Sequence, residues 1–221
     1  MLILFLFIVV LVVPVKISVI NLVVSHIIIC LVLIKEELFI IAMDLLENEI
    51  ELVNTLCVRL KREVARDRRL KILDIGCGTG KLAIYIKEET NSEVTGVDPM
   101  QEQIEKAKQK ARSAEVAFDV QSAEELNYVD GTFDVVVSLK ALHEMDNPDA
   151  ALRESLRVLR EGGRIYIIDW IGGAAGTASH GHASKYFTIE GLEEKLSKTG
   201  FVRIEIEAKN ELMLAEGTKA Q

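Results

Sequence analysis

Hydrophobic and polar positions divide the chain into three stretches of different character. Residues 1–34 are almost unbroken hydrocarbon: a first block ends before Pro14 and Lys16, and a second, residues 17–34, carries no charge and only Ser18, Asn21, Ser25 and His26 as polar interruptions. The second block, 18 residues long, reaches the lower limit of a membrane span of ~20 residues, whereas the first is too short to span alone. From Met43 to about Arg69 the spacing becomes that of an amphipathic helix. Leu46, Ile50, Val53, Leu56 and Leu60 share one face, with Glu47, Glu49, Glu51, Lys61 and Arg62 on the rest. Beyond Leu70, short apolar runs alternate with helical stretches. Strands are expected over 72–75, 93–97, 116–120, 133–138 and 164–169, and helices around Leu82–Ile86, Ile104–Ala111, Leu152–Leu159 and Leu192–Leu196. Asn147 caps the third of these helices, which is expected to stop at Gly162 and Gly163. Residues 201–207 and 211–215 alternate around Lys209 and Asn210 as an antiparallel hairpin. The order β-α-β-α-β-β-α-β-α-β-β predicts an α/β fold, a doubly wound and mostly parallel sheet closed by that hairpin.

This places an apolar leader over 1–42 and one domain over 43–221, with an N-terminal helix over 43–69 and a core sheet over 70–216. The leader has two readings. If residues 17–34 span a membrane, the basic residues beyond them (Arg59, Lys61, Arg62, Arg66, Arg68, Arg69) favour a cytoplasmic domain. Alternatively, translation starts at Met43, whose following Asp-Leu-Leu-Glu-Asn-Glu suits a soluble cytoplasmic protein. A secretory signal peptide fits poorly, because no positive charge precedes the apolar core and no small-residue cleavage site follows it. The net charge of −8 argues against a sequence-independent nucleic-acid binder. Cys30, Cys57 and Cys77 are far apart and odd in number, which suits neither a disulfide framework nor a zinc knuckle and fits a reducing compartment.

The chemistry concentrates in Lys-Ile-Leu-Asp-Ile-Gly-Cys-Gly-Thr-Gly-Lys, residues 71–81. A strand, a glycine-rich turn and a helix bring backbone N–H groups and a helix N-terminus to one point at the sheet edge. Gly76, Gly78 and Gly80 leave room for a ligand against bare backbone, with Cys77 as a small residue in the crowded turn. The third glycine comes one residue too early for the dinucleotide fingerprint G-x-G-x-x-G. Asp74 adds a carboxylate that a pyrophosphate would repel and an ammonium group would attract. On these residues alone, another Rossmann-like nucleotide site fits as well. Asp98 follows about 20 positions later at a strand end, placed to accept hydrogen bonds from both ribose hydroxyls. It would also suit the cap of the helix that Pro99 opens.

The pattern D-x-G-x-G-x-G resembles motif I of the class I S-adenosylmethionine (AdoMet)-dependent methyltransferases. Asp98, Phe-Asp-Val-Val-Val-Ser at 133–138, Ala-Leu-His at 141–143 and the corner Leu-Arg-Glu-Gly-Gly-Arg-Ile-Tyr-Ile-Ile-Asp at 159–169 extend the resemblance, nearest to the type 11 small-molecule branch, over about residues 43–216. It implies AdoMet as cofactor, Met100 beside the adenine, and the end of the fourth strand at Ser138 near the methionine part. In the family the position of Ser122 is commonly an Asp that touches the adenine amino group. A hydroxyl is the weaker acceptor, leaving the Ala123 N–H and Glu124 as further contacts. His143 has a suitable pKa for a general base, although a packing or capping histidine fits the loop equally. The resemblance implies SN2 methyl transfer to a small-molecule acceptor, lipid-like if the leader is an anchor.

Other chemistries fit less well. Nucleobase amino-methylation needs an Asn/Asp-Pro-Pro-aromatic loop, and the only prolines are Pro14, Pro99 and Pro148. Arsenite methylation needs cysteines beyond the glycine turn, and there are none. His180 and His182 form an H-x-H pair without a third ligand nearby, so no metal is expected. They lie instead in a Gly- and Ala-rich loop, a lid over the acceptor with Trp170 and Tyr186 as further contacts. A non-catalytic AdoMet-binding module keeps the same turn and Asp98. A nicotinamide-dependent oxidoreductase needs the longer glycine spacing and no Asp74.

Overall fold

The computed structural model describes residues 24–25, 47–64, 69–111, 114–174, 177 and 180–221. The chain divides into two compact units, Met1–Asp44 and Leu45–Gln221. The expected span over 17–34 lies outside the described residues except for Val24 and Ser25. Among the described residues no helix is long and apolar enough to cross a membrane.

In the second unit α1 (Glu47–Val64) precedes a β/α alternation: β1 (Lys71–Ile75), α2 (Lys81–Thr90), β2 (Glu93–Asp98), α3 (Gln101–Lys110) and β3 (Val116–Val120). Then follow β4 (Phe133–Leu139), α4 (Pro148–Val158), β5 (Leu159–Trp170), α5 (Ile189–Thr199), β6 (Phe201–Lys209) and β7 (Leu212–Lys219). The strands form one seven-stranded sheet in the order β3-β2-β1-β4-β5-β7-β6. The first five are parallel, while β7 is antiparallel to both β5 and β6. This is the class I methyltransferase arrangement. Because β1 pairs with both β2 and β4, the order reverses there and opens a crevice at the carboxyl ends of these strands.

The alternation of β1 divides its side chains between two faces. Leu73 and Ile75 join a core with Leu152 of α4, Leu192 and Leu196 of α5, and Ile165 and Ile167 of β5. Ile72 and Asp74 are left for the opposite face. The caps are those the residue types favour. Asn147 accepts from the Ala150 N–H at 3.1 Å, Thr188 accepts from the Gly191 N–H at 3.0 Å, and Gly200 ends α5 at φ 111°.

Two expectations are corrected. The third predicted helix does not run to Gly162. α4 ends at Val158, and Leu159, fully buried, already pairs with Phe133 as the first residue of β5. Register then shifts, so that Val135 faces Arg164, and the intervening residues bulge out with Gly162 at φ 70°. A Cβ on Gly163 would stand 2.8 Å from the Arg160 carbonyl oxygen. The paired glycines therefore belong to a bulge inside a strand and do not stop a helix. The second correction concerns α1. Its buried face is Leu52, Val53, Leu56, Cys57 and Leu60, and Glu49, expected among the polar positions, lies on it. The spacing 49, 52, 53, 56, 57, 60 is a single helical stripe.

Candidate active site

The glycine turn is held between strands by its own backbone. The Cys77 N–H donates to the Val97 carbonyl at 2.9 Å and the Gly80 N–H to the Cys77 carbonyl at 2.8 Å. Glycine is required at two positions. A Cβ on Gly76 would lie 2.5 Å from the Ala141 Cβ, and one on Gly80 2.7 Å from the Phe118 ring, both at positive φ. Gly78 differs: nothing lies within 4 Å of where its Cβ would be, so the turn opens onto free space there. The Cys77 thiol is buried and pushed well up by that burial, so it is an inert filler of the turn.

A cavity of about 190 Å³ adjoins the turn, walled by Asp74, Gly76, Cys77 and Thr79 on one side. Glu49, Lys81, Leu82, Leu139 and Lys140 complete it. Asp74 is 1% exposed, and neither of its carboxylate oxygens accepts a hydrogen bond. Burial pushes its carboxyl up to about 8; the Ala83 N–H opposes this without completing a hydrogen bond, and the Asp98 charge adds to it. Glu49, read from sequence on the polar face of the N-terminal helix, is paired with Lys140 at the cavity wall.

Asp98 sits at the end of β2 as expected. Its Oδ2 accepts from the Gly78 N–H at 3.0 Å and its Oδ1 from the Met100 N–H at 2.9 Å. The carboxylate therefore spans the glycine turn and the start of α3, where the ribose of a nucleoside would meet it, and it does not cap α3 through a side-chain bond. Met100 is exposed beside it. Ser122 is exposed and its Oγ accepts from the Glu124 N–H at 3.2 Å. Ala123 is buried in the core. Glu124 accepts from the Asn147 N–H at 2.9 Å, tying this loop to the head of α4. Ser138 is buried and its hydroxyl donates to the Ile75 carbonyl at 3.2 Å, bridging β4 to β1. The next two residues, Leu139 and Lys140, are the ones that reach the cavity.

A second cluster stands at the ends of β4 and β5. His143 Nδ1 lies 2.6 Å from Asp169 Oδ1, and its Nε2 lies 3.1 Å from Glu144 Oε1. Asp169 Oδ1 also accepts from the Trp170 N–H, and its Oδ2 accepts from the His143 N–H. Burial alone would lower the His143 pKa, but the Asp169 and Glu144 carboxylates outweigh it and raise it. The His143 ring packs edge-on against Tyr186 at 4.8 Å, and Trp170 and His180 complete an aromatic wall. His180 Nδ1 is 3.2 Å from the Tyr186 hydroxyl, while His182 is exposed in the turn beyond. Among the described residues no cluster of three or more His, Cys, Asp or Glu is arranged to hold a metal ion. The sequence offered Asp169 only as a strand end, and its i, i+1 position beside Trp170 carried no sign of the histidine 26 residues away.

Residues 73–167 match the methyltransferase-domain family of type 11. Over these residues the chain is similar to a methyltransferase domain. The chain is similar to the 27-O-demethylrifamycin SV methyltransferase of Amycolatopsis mediterranei, 39% identical over 105 residues, which are 46% of this chain and 39% of that one. It is also similar to the norajmaline N-methyltransferase of Rauvolfia serpentina, 32% identical over 103 residues, 45% of this chain and 35% of the relative. The chain thus spans less than two-fifths of the length of these curated relatives. Among solved structures, the [4+2]-cyclase SpnF shares the fold with a TM-score of 0.64 at 23% identity, over 75% of this chain and 80% of that one.

AdoMet is the methyl donor of this family, and the residues present fit it. A carboxylate buried without a partner calls for a cationic group, and the ammonium of a methionine moiety is one. Gly78 leaves open the space that a side chain would fill. Asp98 retains lone pairs for two hydroxyls beyond its two backbone bonds.

Proposed function

We propose that the protein transfers the methyl group of AdoMet to a small organic acceptor. The observation that carries the reading is Asp74, fully buried and unpartnered at the wall of a cavity that begins at the glycine turn. Asp74 would hold the ammonium, Asp98 the ribose hydroxyls, and Ser122, the Ala123 N–H and Glu124 the adenine edge. Bound AdoMet supplies a sulfonium whose methyl is already labile, so transfer is an in-line SN2 displacement. The protein's part is to bind, align and exclude water, which is worth on the order of 7–11 kcal/mol in well-oriented reactions.

His143 is the candidate general base. With its Nδ1–H held by Asp169, the neutral ring presents Nε2 to an acceptor O–H or N–H, once Glu144, half exposed, turns aside. Trp170, His180 and Tyr186 would wall the acceptor. Relatives named for O- and for N-methylation both match the domain, and a cyclase shares its fold, so the acceptor atom is a property of this second cluster and not of the fold.

Calorimetric titration of the full-length chain with AdoMet, S-adenosylhomocysteine and NADH tests the cofactor. Micromolar binding of the first two and none of the third is expected. The reverse would make the protein a nicotinamide enzyme, and binding without turnover across an acceptor screen would make it a silent AdoMet module. We further propose that residues 17–34 anchor the domain at a membrane with its catalytic face in the cytoplasm, which would bring lipid-like acceptors within reach. The charge-free apolar block supports this. Release of the full-length chain from membranes by alkaline carbonate would defeat it.

A further inference from the structure

The cofactor cavity carries more charge than a glycine turn and one carboxylate require. Glu49 reaches it from α1 and Lys140 from the loop after β4, and their side chains are bonded to each other, 2% and 27% exposed respectively. Leu52 and Val53, one turn on, are plain core residues, so the carboxylate stands at the end of an apolar stripe. As a fastening for a helix the pair is inefficient, because desolvating two charges consumes most of what their attraction returns. Lys140 is nevertheless held firmly in place. It sits at φ 52°, its N–H donates to the Ile168 carbonyl at 2.7 Å, and Ala141 beside it closes on Gly76.

With Asp74 ionised, as a cationic ligand would make it, the signs around the cavity alternate: Asp74 negative, Lys140 positive, Glu49 negative. Asp74 points independently to a cationic ligand, being buried in the same cavity with both oxygens unpartnered. One carboxylate would suffice for an ammonium alone. A cation between two carboxylates matches a zwitterion that carries an ammonium and a carboxylate on one carbon, as the amino-acid end of AdoMet does.

We propose that Glu49 and Lys140 recognise the amino-acid end of the cofactor, exchanging their mutual bond for bonds to its ammonium and carboxylate groups. The inference rests on AdoMet being the ligand of this site. It assigns a binding role to α1, which lies outside the family-matched residues 73–167. In the resting protein the pair keeps both charges compensated. In the complex Asp74 and Glu49 share the ammonium, and Lys140 turns to the carboxylate.

The test compares two ligands on the full-length protein by calorimetry: S-adenosylhomocysteine, which has the charged end, and 5′-methylthioadenosine, which lacks it. In Lys140→Met and Glu49→Gln the affinity for S-adenosylhomocysteine is expected to fall about tenfold to a hundredfold, as for loss of a charge-assisted hydrogen bond. Affinity for 5′-methylthioadenosine should stay within about twofold, which also shows that each variant is folded. Lys140→Arg should restore most of the loss. An equal response of both ligands, or of neither, overturns the proposal while leaving the cofactor in place. Wild-type protein that binds neither ligand overturns the cofactor reading and this proposal with it.

Discussion

The two charged clusters of the domain answer to opposite rules. At the glycine turn the decisive carboxylate, Asp74, is buried with no partner, and backbone geometry supplies nearly everything else. At the ends of β4 and β5 every oxygen of Asp169 is engaged and the imidazole of His143 is contacted on both nitrogens. A site left unsatisfied declares the charge of its ligand, because a buried ion without a counter-ion is too costly to keep for stability alone. A site that satisfies itself declares a mechanism without a ligand. The difference can be broken at either end.

The largest effect is expected at the self-satisfied end. His143→Ala should lower turnover with an acceptor about 10²–10⁴-fold, the usual loss for a general base, and leave S-adenosylhomocysteine affinity within about twofold. Full retention of turnover would remove the histidine from the chemistry and leave alignment alone as the source of rate. Next comes Asp98→Ala. It would remove the two proposed ribose contacts and free the Gly78 and Met100 N–H groups that it now holds, so AdoMet affinity should fall about a hundredfold. Unchanged affinity would sink the ribose assignment.

Asp74 predicts a pH dependence with a definite sign. Its carboxyl is pushed from 3.8 up to about 8 by burial first, with Asp98 contributing, while Glu49, Lys81 and Lys140 line the same cavity. The protonated form is the one the ligand-free fold prefers. Its contribution to stability is therefore complete below pH 3.8 and is lost as pH rises through about 8. An ammonium prefers the ionised form, so binding at pH 7 releases a proton. Affinity for S-adenosylhomocysteine should climb by up to about tenfold per pH unit below 8 and level off above it. Calorimetry in buffers of different ionisation enthalpy reads the proton directly. Asp74→Asn should flatten the profile, and a wild-type profile already flat between pH 6 and 8 would mean that the carboxylate is ionised before the ligand arrives.

What the chain revealed beforehand follows the same division. The strand and helix order, the hairpin and the turn were legible because period, glycine spacing and caps are local properties. Gly162 and Gly163 misled, since a glycine pair marks a bulge as readily as a helix end, and only the Phe133–Leu159 pairing tells them apart. Glu49 was hidden by its residue type: a glutamate among glutamates reads as solvated face, although its spacing to Leu52, Val53 and Leu56 places it on the apolar stripe. Asp169 and Lys140 have no local signature at all. Their roles arise from β4 and β5 lying side by side, which brings His143 and Trp170 to them.

The smallest effect separates the two bonds to His143. Its pKa is raised, against the effect of burial, by Asp169 and Glu144 together. The stability this gives is full below the ordinary histidine value of 6.5 and fades as pH rises through the higher folded value. Asp169 is fully buried and Glu144 is half exposed, so most of the pairing energy belongs to Asp169, and solvent screens the other contact to about 0–1 kcal/mol. Glu144→Gln should therefore lower the His143 pKa slightly, by less than about tenfold in proton affinity, and move stability below pH 6 by no more than about 1 kcal/mol. Titration of the His143 ring by NMR checks the first and thermal unfolding against pH the second. If Glu144→Gln also raises turnover near neutral pH, the glutamate is a gate on Nε2, and the second cluster satisfies itself only until an acceptor displaces that side chain.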